Sequence, residues 1–131
     1  MNRTIHFPDL GMLIFRLVIG LTMALSHGLG KLPPSEDLIG GVNSMGFPMP
    51  VVFAWLAAMS EFVGGFLIAA GLFARYAAFF MGFTMAVAFF IVHGADPMMK
   101  KELALLYLAS CVLIFFTGAG SFSLDRIFRK K

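Results

Sequence analysis

Residues 51–73 read VVFAWLAAMSEFVGGFLIAAGLF, an apolar run broken by one carboxylate, Glu61. At roughly 1.5 Å per residue the run spans a hydrocarbon core of roughly 30 Å, with Glu61 near the midplane. An ionised carboxylate costs about 2.5–3.5 kcal/mol at that depth on insertion scales. It must therefore be neutral or paired inside a bundle. Its neighbours on the same helical face are Ala54, Ala57, Ala58, Gly64 and Gly65. Small residues let another helix approach closely, so the carboxylate is expected to face protein. The first helix offers a partner, Arg16. With both helices centred on the midplane, the two groups differ in depth by about the reach of one arginine side chain. An Arg16–Glu61 pair is the expectation.

The rest of the chain has the same character. Of 131 residues, 60% are hydrophobic and 13% charged, and the mean hydropathy is +0.90. A water-soluble domain carries about 25% charged residues. Four apolar runs account for the difference and define an all-α bundle of four transmembrane helices in a single domain, 1–131. The spans are expected at about residues 10–29, 51–73, 76–93 and 101–117. The net charge of +3 comes mostly from a terminal cluster, with no basic stripe and no nucleic-acid motif. The single cysteine, Cys111, excludes an internal disulfide and intramolecular dithiol chemistry. Arg3 before an apolar run and Ala24-Leu25-Ser26 imitate a signal peptide, but Arg16 interrupts the run and the chain stays apolar beyond it. The segment is read as a retained helix.

The first helix carries Arg16, Gly20, Met23, His27 and Lys31 on one face, which should point inward. Pro33-Pro34 ends it. Ser35 then caps a short helix with Glu36 and Asp37 in its first turn and Leu38, Ile39, Val42 and Met45 on one side. That pattern suits an interfacial segment in the first loop. Arg75 marks a tight turn, and Gly82, Ala86, Phe89 and His93 share a face of the third helix. Glu102 opens the fourth, whose polar flank holds Tyr107, Ser110 and Cys111. Residues 121–131, SFSLDRIFRKK, read as an interfacial C-terminal tail. Arg3, Arg75, Arg126, Arg129, Lys130 and Lys131 fall on one side, against Lys31, Lys100 and Lys101 on the other. The positive-inside rule then puts both termini in the cytoplasm.

Two groups of residues could carry chemistry. Arg16 and Glu61 form either a structural bridge that fixes helix register or a site for a polar headgroup or a proton-linked carboxylate beside a quinone. Snorkelling of Arg16 is the third reading. His27, Lys31, His93 and Glu102 gather at the expected outer ends of three helices. They suit a polar ligand or proton-exchange site. A metal or haem is weakly signalled, since no close His/Cys spacing and no attachment motif occur. Gly28-Leu29-Gly30-Lys31 lacks phosphate-loop spacing.

Read together, Arg16, His27-Gly28-Leu29-Gly30-Lys31-Leu32, Glu61 with Gly64-Gly65, Gly71 before Arg75, His93, Glu102 and Gly118-Ala119-Gly120-Ser121-Phe122-Ser123-Leu124-Asp125 resemble the DoxX family of small four-helix membrane proteins. The resemblance covers essentially the whole chain. It implies a bacterial cytoplasmic-membrane protein with a link to redox chemistry. One relative is a membrane subunit of an archaeal thiosulfate:quinone oxidoreductase, and others are tied to thiol and oxidative-stress systems. The positions it marks are Arg16, His27, Lys31, Glu61 and His93. The lone Cys111 argues against a thiol relay.

The functional expectation is a membrane component of a redox system, an oxidoreductase subunit on one reading. It would bind a quinone or similar lipophile around Arg16, His27, Lys31, Glu61 and His93, with Glu102 and Tyr107 as secondary candidates. The expected partners are the lipid bilayer and a redox protein, with a homo-oligomer left open. A scaffold with a structural polar core and a small-molecule or proton pathway are the rival classes.

Overall fold

The computed structural model describes residues 6–131, so Arg3, counted in the orientation argument, lies outside it. Among the described residues every regular element is helical. Helix α1 starts at Phe7 with Pro8 in its first turn and runs to Thr22. It continues through a π-helical turn, Met23–Gly28, and a 3₁₀ turn, Leu29–Lys31. Helix α2 is Glu36–Ser44, α3 is Pro50–Ala70, and α4 is Ala74–Val87 with a π-helical extension, Ala88–Val92. Helix α5 is Met98–Thr117 and α6 is Leu124–Arg129. Among the described residues three helices are long and apolar enough to cross a membrane: Phe7–Lys31, Pro50–Ala70 and Ala74–Val92.

The distribution of side chains is inverted relative to a water-soluble protein. Arg16 and Glu61 are fully buried, among alanines and glycines, while Phe80 and Phe90 are 60% and 67% exposed. Such a surface is stable only against hydrocarbon, because charges inside a bilayer turn to the bundle interior and large apolar groups face lipid. The core is built from Met23, Ile68, Met81, Met85, Tyr107, Cys111 and Ile114, with alanines of α4 between them.

Small residues set the register of α1 on α3. A Cβ on Gly20 would strike the Gly65 carbonyl, and one on Gly65 would lie 2.5 Å from the Gly20 carbonyl. Two turns on, a Cβ on Gly28 would lie 2.5 Å from the Phe62 nitrogen. Backbone thus meets backbone from Gly20 to Gly28, and the helices cannot slide.

The first loop follows its sequence. Ser35 accepts from the Leu38 N–H at 3.2 Å, with Glu36 and Asp37 in the first turn of α2. Val42 is buried, and Leu38, Ile39 and Met45 are half-buried. Helix α2 therefore lies with its apolar side on α3.

Candidate functional site

The fixed register overturns the expected Arg16–Glu61 pair. Arg16 stands one turn before Gly20 and so comes level with the last turn of α3. Its guanidinium donates to the carbonyls of Ile68 and Phe122, while Nε has no partner among the described residues. Ile68 is seven residues beyond Glu61, about 10 Å along the helix. The expectation failed because it centred both helices at one depth, whereas the Gly20–Gly65 and Gly28–Phe62 contacts displace α1 along α3.

Glu61 is paired all the same. Lys31 Nζ lies 2.7 Å from one carboxylate oxygen and 2.8 Å from the other, donating to both. The Glu61 side chain is wholly buried and that of Lys31 is 39% exposed. The irregular end of α1 brings this about. Met23, His27 and Lys31 are spaced by four, which in a 3.6-residue turn drifts by about 40° per step. The wider turn at Met23–Gly28 absorbs that drift and keeps all three on the inner side. Single π turns of this kind recur at functional sites. The second π turn, Ala88–Val92, immediately precedes His93 at the same end of the molecule.

The Lys31–Glu61 pair stands between two spaces. On one side is a largely apolar groove of about 820 Å³ between α2, α3 and α4, whose lining includes Val42, Phe53, Leu67, Phe80 and Val87. Ser60 and Thr84 lie in its wall and share a hydrogen bond of 2.9 Å. On the other side is a cavity of about 160 Å³ edged by His27, Tyr107, Lys100 and Leu103. Lys31, Glu61, Ala88 and His93 border both.

Of the residues singled out in the sequence, His27, Lys31, Glu61, His93 and Tyr107 come together at this end. The Tyr107 hydroxyl donates to Thr22 Oγ1 at 2.9 Å, and its ring meets His27 edge-on at 5.6 Å between centroids. His93 Nδ1 and Asp96 Oδ2 are 2.8 Å apart. That hydrogen bond holds the Asp96 carboxyl below the usual carboxylate range, with Lys100 and Lys101 adding to the effect. Glu102 is exposed and borders neither space, and Arg16 lies at the other end of α3, against Ile68. Lys100, in the sequence only a marker of orientation, borders the smaller cavity. No signal short of the fold separates it from Lys101. Among the described residues no three His, Cys, Asp or Glu side chains come close enough to share a metal ion.

At the opposite end, the stretch Gly118–Asp125 proves to be a clasp. Asp125 accepts from the N–H groups of Phe73 and Ala74 at 2.7 and 3.1 Å, capping α4. Phe73 is held there in the left-handed region, at φ 48°. Ser121 N–H donates to Asp9 Oδ1 at 3.2 Å, and Ser123 caps α6. Gly71, at φ 69°, also leaves the space that Arg16 Nη1 and Ser123 occupy.

An exposed apolar shell, buried charges and an ion pair set between two cavities define a helical membrane protein. The chain belongs to the DoxX family, whose sequence model matches residues 11–94. Its relatives match over almost their whole length. A Haemophilus influenzae protein described only as "Uncharacterized protein" is 37% identical over 91% of this chain and 92% of its own. The Escherichia coli "Inner membrane protein YqjF" is 29% identical over 94% and 95%, respectively. The Bacillus subtilis "Putative oxidoreductase CatD" is 29% identical over 89% and 86%. No solved structure matches the chain.

Proposed function

We propose that the protein is a membrane component of a redox system that holds a quinone-like lipophile. The polar head would meet Lys31, Glu61 and His93, and the apolar tail would lie in the groove between α2, α3 and α4. One observation carries the reading: a bidentate ion pair sits on the wall of a large apolar groove open at its side. A buried pair that served packing alone has no need of such a space. In this reading Lys31 donates to a ligand carbonyl, Glu61 and His93 exchange protons with it, and Ser60 and Thr84 line the way in. Redox work is supported by the name of the Bacillus subtilis relative, an oxidoreductase.

The reading also takes the chain as one domain in the bacterial inner membrane, in line with the name of the Escherichia coli relative. Helix α5 would be the fourth crossing, since its 20 residues reach about 30 Å. Helices α2 and α6 would lie at opposite interfaces. Both termini would be cytoplasmic, because Arg75 and the tail cations share one end while Lys31, Lys100 and Lys101 share the other. A scaffold role is the second reading, favoured by the polar residues that the clasp devotes to packing.

The test is purification in mild detergent, solvent extraction and mass spectrometry for quinones. Wild type should retain a quinone in defined stoichiometry, and Glu61→Gln should lose most of it. Absence of quinone from wild type, or equal retention in Glu61→Gln, would favour the scaffold.

A further inference from the structure

Lys31, Glu61, Ala88 and His93 wall both spaces, so the groove and the smaller cavity meet across one ion pair. Their linings differ. Toward the α6 end the groove is bordered by Leu67, Phe73, Ala77 and Phe80. The hydroxyl groups of Ser60 and Thr84 in its wall are bonded to each other and to the carbonyls of Ala57 and Phe80 in their own helices. The smaller cavity instead presents both donors and acceptors. Tyr107 gives its proton to Thr22 and keeps its oxygen free to accept. A neutral imidazole at His27 offers one donor and one acceptor, and His93 engages only Nδ1. Water, which both donates and accepts, suits such a lining, and about 160 Å³ is room for several waters. The far wall is Glu61, wholly buried, and the rim is Lys100, which is exposed. From Lys100 to Tyr107 the cavity follows α5 for about 10 Å.

We propose that the smaller cavity is a water-filled route, open on one side of the membrane, that carries protons between Glu61 and the aqueous phase beside residues 93–101. Its use in redox chemistry rests on the ligand proposed for the groove. On the groove side a ligand hydroxyl loses its proton to the Glu61 carboxylate. On the cavity side the carboxylic acid returns that proton to water. One O–H bond breaks as another forms at each step, and no electron moves. The titratable groups that border the cavity with Glu61 are His27 and Lys31 after α1, His93 after α4, and Lys100 and Tyr107 near α5. Lys31 is part-exposed, so its ammonium stays solvated while Glu61 is neutral. Asp96, 2.8 Å from His93 Nδ1, holds that ring at the rim. Arg16, about 10 Å further along α3, borders neither space and offers no exit at the other end. Protons for a ligand in the groove are therefore exchanged with one face of the membrane.

The experiment labels single cysteines from either face of sealed vesicles, right-side-out and inverted. The full chain carries Cys111→Ala, which removes the native thiol, and the probe is a membrane-impermeant methanethiosulfonate. Met99→Cys, at an 87% exposed position, reports the side on which the loop lies. His27→Cys and Ala104→Cys, on two walls of the cavity, should react from that side and not from the other. Leu25→Cys, at an exposed apolar position of the same turn, should react at least about tenfold more slowly, because a thiol in hydrocarbon stays protonated. Leu103→Trp, which fills the cavity, should abolish labelling of His27→Cys. The proton itself is read by infrared spectroscopy at acid pH. The carboxylic-acid band missing from Glu61→Gln should shift promptly in heavy water, and Leu103→Trp should lose that prompt shift. No labelling at either cavity position, labelling from the opposite face, or a shift untouched by Leu103→Trp would overturn the route. Bound quinone is scored on the same membranes. Its absence beside a labelled cavity overturns the groove reading and leaves the route standing, and its presence beside an unlabelled cavity does the reverse.

Discussion

Arg16 and Glu61 are both wholly buried charges in an apolar bundle, and their surroundings differ in kind. Arg16 is enclosed where α1 meets the end of α3 and the clasp at residues 118–125. Backbone carbonyls take two of its nitrogens, Gly71 and Ser123 press on it, and neither cavity reaches it. Glu61 has one flexible, part-exposed partner and open space on both sides. The first charge ties segments distant in sequence into one end of the fold. The second borders two open spaces, which is what the proposed ligand site requires. Burial alone does not separate the two roles, because what distinguishes them is the chemistry and the space around each group.

The largest effect should come from the Arg16 end. Gly71→Ala places a methyl group against the guanidinium at a left-handed backbone position. It should cost about 3 kcal/mol or more, read as a lower melting temperature and lost accumulation in membranes. An unchanged melting temperature would mean that the clasp is loose. Next is Lys31→Met, which strands the Glu61 carboxylate. Breaking a fully buried pair costs about 3–5 kcal/mol, and partial exposure of Lys31 brings the expected loss to about 2 kcal/mol. Asp125→Ala removes the cap from α4 and should cost about 1 kcal/mol, with ligand retention unaffected. If it empties the groove, the two ends are coupled and the contrast fails.

The smallest effect is a pH dependence at the mouth of the cavity. The folded Asp96 carboxyl titrates below its ordinary value because of its bond to His93. Its contribution to stability is therefore fully present above the unfolded value of about 3.9. It fades as pH falls through the lower folded value. Asp96→Asn should remove that acid-side loss and lower the melting temperature near neutral pH by the same small amount, so that variant and wild type converge in acid. An identical acid profile in the variant would show that the bond adds nothing.

How much of this was legible beforehand follows from the range of each interaction. Apolar runs, Pro8, Pro50 and the Ser35 cap act within a few residues, so the helices stood within about three residues of their observed bounds. The burial of Glu61 was readable from the small residues on its face. The choice of its partner was not. That depends on the axial offset of α1 and α3, which Gly20, Gly28, Gly65 and the backbone of Phe62 set jointly and no single segment encodes. The π turns were equally hidden, since periodicity treats a helix as regular. Their trace was the spacing of four through Met23, His27 and Lys31. The clasp appeared in the sequence only as a motif, because its partners Arg16, Phe73 and Asp9 lie far off along the chain.

On the reading proposed above, the Lys31–Glu61 pair is kept for a ligand and Arg16 for the fold. The most direct test is the double variant Lys31→Met/Glu61→Gln, purified in parallel with wild type and measured for melting temperature and bound quinone. Removing both charges leaves none stranded. The melting temperature should therefore return most of the way from that of Lys31→Met to that of wild type, while the quinone is lost. A double variant that still carries quinone, or that unfolds as readily as Lys31→Met, would contradict the claim.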